Sequence, residues 1–393
     1  MKTTITAEHG ISAQTALRFV VLIGVVSLFA DMTYEGARSI NGPYLAILGA
    51  SGTVVGIVSG VGELIGFTIR LASGYLSDKT KGYWTITFFG YAVNLIAVPL
   101  LALAGNWQLA ALLMVIERIG KGIRVPPRDA MLSYATQHMG RGWGFGLHEA
   151  LDQLGAILGP LILAAALYFR DGYKTAYGLL LIPALMALAV LTSARFLYPR
   201  PQDLEFSQTR LQVQGFSRTF WLYVAASALI AAGFADFPLI AYHFQKASVA
   251  DPTLIPILYA VAMGVDALAA LAFGYLFDRL GLTTMMLVAV LSAFFAPLVF
   301  FGGFSLAMLG MAFWGIGMGA QESIMRAAIA GMISTEQRGL AYGVFNMTYG
   351  IAWFLGSVLI GVLYDVSIPW LVAFSVIAQL ASIPIFYFIR KPG

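Results

Sequence analysis

Apolar segments of about 20 residues follow one another along the whole chain and constrain its fold more than any other feature. An α-helix of that length crosses a hydrocarbon core of about 30 Å. Hydrophobic residues make up 59% of the 393 positions and charged residues 11%, whereas an average soluble domain carries about 25% charged residues. So few charged groups would not cover the surface of a water-soluble fold of this length. The sequence therefore predicts an all-α membrane protein that lies in a lipid bilayer and does not bind nucleic acid.

Twelve transmembrane helices are predicted, in two bundles of six. Their expected positions are 17–40, 45–76, 84–104, 107–127, 143–169, 174–196, 217–244, 253–276, 283–302, 304–328, 339–364 and 368–389. The first bundle occupies 17–198 and the second 217–393, joined by a polar cytoplasmic linker at 199–216. The polar segment 1–16 precedes a first span without a small-residue cleavage site. We expect that span to be retained rather than removed as a signal peptide.

Basic residues collect in alternate connections between the spans. They are Lys79, Lys81, Arg124, Arg128, Arg141, Arg195, Arg200, Arg210, Arg218, Arg279, Arg338, Arg390 and Lys391. Because basic loops stay on the cytoplasmic side, both termini are predicted to be cytoplasmic and the protein to lie in the cell inner membrane.

The two halves of the sequence repeat. The segment Gly74-Tyr-Leu-Ser-Asp78-Lys79 returns as Gly274-Tyr-Leu-Phe-Asp278-Arg279, each time after the second helix of its half. Two shorter pairs align at nearly the same offset: 119–122 with 316–319, and 141–146 with 338–343. Such order indicates a duplication, and hence two pseudosymmetric bundles. In transporters built this way, the substrate path lies between the repeats near the bilayer midplane.

These motifs resemble the major facilitator superfamily over nearly the whole chain. The family pattern Gly-x-Leu-Ser-Asp-Arg/Lys is matched from Gly74 to Lys79, although Lys81 and Gly82 replace the Gly-Arg that follows it. The segment from Arg118 is similar to the family's fourth-helix pattern Arg-x-x-polar-Gly. The resemblance implies the twelve-helix fold of that family, a role in proton transfer for Arg118, and a monomer that carries a small-molecule substrate.

The fifth helix is similar to the drug/proton antiporter branch of that superfamily. Gly146, Gly155, Gly159 and Pro160 follow its Gly-x8-Gly-x3-Gly-Pro pattern, while the Gly-Gly expected soon afterwards is replaced by 163–164, which read Leu-Ala. The spacing of Gly155 and Gly159 is typical of closely packed helices, and Pro160 is expected to kink the helix.

The resemblance also implies a conformational latch at the cytoplasmic ends of the bundles. Its residues are Gly74, Asp78, Lys79, Asp278 and Arg279. Charge pairing across the bundles would hold one state, and breaking it would shift the equilibrium between states.

Charged residues inside the apolar spans are the candidates for function. Asp31, Glu35 and Arg38 lie at i, i+4 and i+7, on one stripe of the first helix. Arg38 would hold one carboxylate ionised, while burial of the other would let it take up a proton near neutral pH. The further candidates for proton coupling or substrate contact are Glu63, Arg118, Glu149, Asp152 and Asp236. Alternatively, these charges form a fixed ion-pair network, or Asp31 and Arg38 lie among the headgroups.

Residues of the second bundle extend this hypothesis. Asp236 and His243 repeat the spacing of Asp31 and Arg38. Aromatic side chains that would offer a substrate stacking faces are Trp314, Phe345 and Trp353. Either Glu63 or Asp152 is the expected partner of Arg118.

Several chemistries are excluded or disfavoured. The chain has no cysteine, which removes disulfides and thiolate sites. The segment from His148 to Asp152 begins like a zinc-protease motif but ends in Asp, and Gly120-Lys121-Gly122 lacks the spacing of a nucleotide-binding loop. We expect no cofactor, no resident metal and no enzymatic activity.

The leading hypothesis is a proton-coupled exporter of a small organic compound, drug-like or metabolic, that works by alternating access. A proton symporter that imports an organic anion or metabolite remains an alternative, because Arg38, Arg118 and Lys121 would also bind a carboxylate. A carrier of divalent metal ions is the third possibility.

Overall fold

The computed structural model describes residues 13–136, 141–169, 172–199, 216–333 and 338–390, which are almost entirely helical and contain no strand. Eleven helices in these ranges are long and apolar enough to cross a membrane. The twelfth, Trp107–Thr136, is equally long but carries more charged side chains. The predicted all-α membrane fold is therefore confirmed. The predicted segment 1–16 and linker 199–216 lie largely outside the described residues.

The twelve helices are numbered in chain order. They are α1 Ala13–Ile47, α2 Gly52–Thr80, α3 Tyr83–Leu100, α4 Trp107–Thr136, α5 Arg141–Tyr168, α6 Gly172–Leu197, α7 Arg218–Lys246, α8 Ile255–Leu280, α9 Thr283–Phe301, α10 Phe304–Met332, α11 Arg338–Val366 and α12 Ile368–Arg390.

Helix α1 is longer than predicted. Its expected end at 40 is wrong, because the helix continues through Pro43 to Ile47. Neighbouring helices make a proline tolerable inside a membrane helix. Here the hydroxyl of Tyr44 donates to the carbonyls of Leu101 and Ala104, at 3.1 and 2.7 Å, which holds the end of α1 against the end of α3. The extension places Asp31 near the middle of α1, away from either end.

Helix α4 is also longer than predicted. It continues through Pro126 and Pro127 to Thr136, so the expected end at 127 is wrong. Arg124 and Arg128, predicted to lie in a cytoplasmic connection, are instead buried inside the helix at 1% and 9% exposure. The prediction of topology therefore depends on the other basic residues.

Helix α7 is interrupted, although one continuous span was predicted. Its two parts are Arg218–Gly233 and Phe237–Lys246. Asp236 between them has an extended backbone, and its Oδ1 accepts a hydrogen bond from the Phe237 amide at 2.9 Å. An Asp cap followed by Pro238 in the first turn is a strong start signal for a helix. A helix N-terminus is thereby created inside the apolar region.

Glycines set the closest helix contacts. A Cβ on Gly155 or Gly159 of α5 would collide with the α1 carbonyls of Leu28 and Met32. Another such contact occurs at equivalent positions of both halves. Gly122 lies against the carbonyl of the α2 residue Gly66, and its counterpart Gly319 lies against the backbone of α8. Close approach of backbones is how membrane helices gain packing contacts.

Candidate functional site

Arg38 links the two bundles. Its Nη2 lies 2.6 Å from Asp236 Oδ1, the atom that also caps the second part of α7. Glu35 and Glu63 lie within 3.8 and 3.9 Å of the same guanidinium. The Arg38 side chain is only 9% exposed. An arginine of the first half is thus neutralised mainly by an aspartate of the second half.

Glu35 makes a second link between the bundles. Its Oε2 accepts a hydrogen bond of 2.5 Å from the hydroxyl of Tyr259 in α8. The ammonium group of Lys121 in α4 lies 3.8 Å from Oε1 and 3.9 Å from the centre of the Tyr34 ring. Cation–π contact and ion pairing together fix Lys121 beside Glu35.

Arg118 is paired within the first bundle. Its Nη1 lies 3.4 Å from Glu63 and its Nε lies 3.4 Å from Glu117. Glu117 is held in turn by the side-chain amide of Asn94, which donates to it at 2.8 Å. Of the two partners expected for Arg118, Glu63 is the one in contact with it.

Asp31 has a different environment from Glu35. It is 5% exposed and backed by Gly155, and Arg124 lies 3.9 Å from its Oδ1. That oxygen accepts no hydrogen bond from any of the described residues. Arg124 itself stacks on the Tyr91 ring, 4.4 Å from its centre. Asp31 therefore faces the Arg124 guanidinium without a hydrogen bond to it.

Glu149 and Asp152 lie on α5. Glu149 is exposed, and Asp152 Oδ2 lies 3.8 Å from Nδ1 of His148. Potential ligand atoms of these three residues lie within 4.8 Å of one another. Nε2 of His148 is hydrogen-bonded to Ser27 Oγ, which also accepts a bond from Arg128 at 3.3 Å. A guanidinium in the same corner opposes binding of a metal cation.

The aromatic residues of the second bundle form a packed core in this structure. Trp314 is fully buried, and its indole N–H donates to the Ala235 carbonyl at 2.9 Å, inside the break of α7. Trp353 and Phe345 are 5% and 4% exposed and contact the ring of Tyr349. Here they support the interrupted helix and the core instead of presenting open faces to a substrate.

A small cavity of about 20 Å³ adjoins the ion pairs. It is lined by Asn41, Leu45, Val58, Ser59, Met114, Glu117, Arg118, Asp236 and Pro238. It is small for a ligand site, and it brings polar groups of α1, α2, α4 and α7 into one space.

The molecule is closed at the end where α1 finishes and α2 begins. Gly42 of α1 packs against the backbone of Pro238, and the hydroxyl of Tyr242 donates to the Ala50 carbonyl at 3.0 Å. At this end α2 also packs against α11, with Gly56 beside Gly361. Towards the opposite end, the described parts of α4 and α10 make no extended contact. The ends of α1 and α7 thus meet closely here, while α2 and α11 stay in contact farther along, where Phe67 lies beside Gly350.

The predicted latch residues lie at the other end, in the last turns of α2 and α8, and the charged ones among them are exposed. Tyr83 donates to Asp78 at 3.1 Å, Lys79 lies over the Tyr75 ring, and Arg279 lies over the ring of its neighbour Tyr275. Within the described part of the chain, no ion pair joins these side chains across the two bundles. A latch between them remains a prediction for another conformational state.

Known proteins resemble this chain in both sequence and fold. The sequence profile of the Major Facilitator Superfamily matches residues 22–245 and 224–393. An uncharacterized protein of Mycobacterium tuberculosis is 41% identical over 387 residues, covering 97% of this chain and 95% of the other. An uncharacterized MFS-type transporter of Methanocaldococcus jannaschii is 27% identical over 363 residues, covering 88% and 89%. A crystal structure of a mutant of the nucleoside transporter NupG has a TM-score of 0.78 at 15% identity, covering 94% of this chain and 100% of that one, and shows the same fold.

Proposed function

Because the chain belongs to the Major Facilitator Superfamily, we propose that it is a secondary transporter that couples proton entry to the export of a small organic compound. The observation that carries this proposal is the pairing of Arg38 with Asp236, supported by the Tyr259–Glu35 hydrogen bond. Both contacts join the two bundles, and both involve groups whose interactions depend on protonation. A proton or a charged substrate that competes for one of these groups would loosen the closed end of the molecule.

The arrangement suits alternating access. Rocking of two bundles about a central site opens the site to one side at a time. Here α1 and α7 close one end through backbone contacts at Gly42, while the described residues of α4 and α10 are not joined by an extended contact at the other. With the termini cytoplasmic, as the remaining basic loops favour, the closed end faces outward. The site would then receive its substrate from the cytoplasm, as an exporter requires.

Asp31 is our candidate for the group that exchanges a proton. Its Oδ1 accepts no hydrogen bond from the described residues, so a proton can bind there without breaking one. Asp31 also lies against Gly155, on the α5 face that resembles the antiporter pattern. Glu35 and Asp236, by contrast, are each held by a hydrogen bond that crosses between the bundles. We assign these two carboxylates to the conformational change and Asp31 to proton transfer.

Reconstituted vesicles test the proposal. A ligand is first identified by its thermal shift of the purified protein across a panel of organic cations, anions and neutral compounds. Its flux is then followed under an imposed pH gradient. We expect the gradient to drive flux, and ligand transport to move protons in the opposite direction. Flux that is indifferent to the gradient would overturn proton coupling.

Variants locate the coupling. Asp31→Asn and Glu35→Gln should each abolish gradient-driven transport in protein that remains folded. Asp251→Asn, in an exposed loop between α7 and α8, is the matched control and should leave it intact. Full coupling in both single variants would remove these carboxylates from the mechanism.

Import of an organic anion by proton symport is the second candidate. Arg118, at 14% side-chain exposure, lines the central cavity, and Lys121 lies close by at 19%. Both would attract a carboxylate. The vesicle experiment separates the two candidates, because a symporter moves protons in the same direction as the ligand.

A further inference from the structure

A carboxylate of the second bundle caps a helix of the first. Asp365 lies in the last turn of α11, and its Oδ1 accepts a hydrogen bond from the Gly52 amide at 2.9 Å. Its Oδ2 accepts two more from Thr53, from the amide at 2.7 Å and from the hydroxyl at 2.6 Å. Gly52 and Thr53 are the first two residues of α2. Three hydrogen bonds therefore cross between the bundles at one side chain.

The contact completes the N-terminus of α2. The first amide groups of a helix have no partner within the helix, and a negative charge beside them is favourable. The third of these amides, on Val54, donates to the hydroxyl of Ser51 at 3.2 Å. Ser51 belongs to the same bundle as α2 and stays with it, whereas Asp365 moves with the other bundle. Separation of the bundles would therefore leave two amides without their cap.

The backbone around Asp365 is shaped for this approach. A Cβ on Gly52 would lie 2.9 Å from Asp365 Oδ1 and against the ring of Tyr364. A Cβ on Gly361, one turn earlier in α11, would lie 2.8 Å from the Gly52 carbonyl and 3.0 Å from the Cα of Gly56. Side chains at these glycines would hold α2 and α11 apart, so their absence permits the capping distance.

We propose that Asp365 is a conformational latch that holds this end of the molecule closed and must release Gly52 and Thr53 whenever the bundles separate there. This latch at Asp365 is distinct from the central ion pairs. It is also distinct from the predicted latch residues Gly74, Asp78 and Lys79 at the other end of α2. Its action requires neither proton coupling nor a particular direction of transport.

Distance measurements between spin labels test the latch directly. The chain contains no cysteine, so a pair can be introduced without removing any. Ile47→Cys on α1 and Trp370→Cys on α12 lie on opposite bundles at the closed end and are 58% and 68% exposed. In the full-length protein in lipid nanodiscs, we expect one main distance population. Asp365→Ala should lower the ratio of closed to open molecules by about 2- to 30-fold, the range expected for losing a helix cap.

Asp251→Ala provides a matched control. Asp251 likewise accepts hydrogen bonds from an amide and a hydroxyl, both of Thr253, at 3.0 and 2.7 Å, but within one bundle. It should leave the distances unchanged. A closed population that survives Asp365→Ala, or opening of equal size in Asp251→Ala, would overturn the latch.

A second variant keeps the proposal testable if Asp365→Ala does not fold. Thr53→Val removes only the hydroxyl bond and leaves both amides in place. It should open a smaller fraction of molecules, and combined with Asp365→Ala it should add nothing. Unchanged distances in Thr53→Val, or fully additive effects in the double variant, would argue against the latch.

Discussion

Neutralising Arg38 should cost more stability than neutralising its partner Asp236. In Arg38→Gln, Asp236 loses the cation 2.6 Å away while it remains 3% exposed. An unpaired buried charge costs about 3–5 kcal/mol. In Asp236→Asn, Arg38 keeps Glu35 and Glu63 within 4 Å, and the amide oxygen can still cap Phe237. Loss of one charged hydrogen bond then costs about 1.5–3 kcal/mol.

The double variant makes the prediction sharper. Arg38→Gln with Asp236→Asn removes both charges, so it should be more stable than Arg38→Gln alone even though it carries one more substitution. Denaturant titration of the protein in lipid bicelles, followed by helical circular dichroism, gives the free energies. Asp278→Asn, at an exposed position, is the control and should change stability by less than about 0.5 kcal/mol.

Two results would refute this reasoning. One is a double variant whose loss equals the sum of the single losses, because residues in contact should be coupled. The other is a larger loss for Asp236→Asn than for Arg38→Gln, which would mean that Glu35 and Glu63 do not share the guanidinium.

Three further perturbations test other parts of the structure. Gly42→Ala places a Cβ 2.7 Å from the Tyr242 amide, so label distances at the closed end should lengthen; unchanged distances would contradict this close approach. Gly159→Ala should cost about 1–3 kcal/mol by overpacking α5 against α1, whereas Gly146→Ala, which has open space around it, should cost much less in the same titration. Hydrogen bonds from its own loop lower the pKa of Asp251. Its contribution to stability is therefore present above about pH 3.9, the usual pKa, and lost as the pH falls through the lower folded value. Asp251→Ala should remove that part of the acid dependence of unfolding.

The number and order of helices could be predicted because each membrane helix satisfies its own backbone and is therefore encoded locally. The errors at Pro43 and Pro126 share one cause. Proline ends helices in water, where the freed carbonyl is solvated, but inside a membrane protein neighbouring helices make the interruption tolerable. The second error also explains why Arg124 was predicted to lie in a connection, although it is buried within α4.

The site was predictable in part for a similar reason. Asp31, Glu35 and Arg38 share a helix face by periodicity alone, and the structure brings Glu35 and Arg38 into one network. Tyr259 was missed, because a tyrosine in a predominantly apolar span carries no signal that distinguishes a hydrogen-bond donor from a packing residue. The break in α7 left a signal that was overlooked, an Asp followed two residues later by a proline.

Contacts between the bundles are the ones that no local pattern encodes. Arg38 and Asp236 are 198 residues apart, Glu35 and Tyr259 are 224 apart, and Thr53 and Asp365 are 312 apart. In the proposed cycle each of these contacts exists in one state and is broken in another. Sequence periodicity reports which residues share a face in every state, because it reflects the helix itself. It cannot report partners that change during the cycle, and for that reason the residues that hold the closed end together emerge only from the structure.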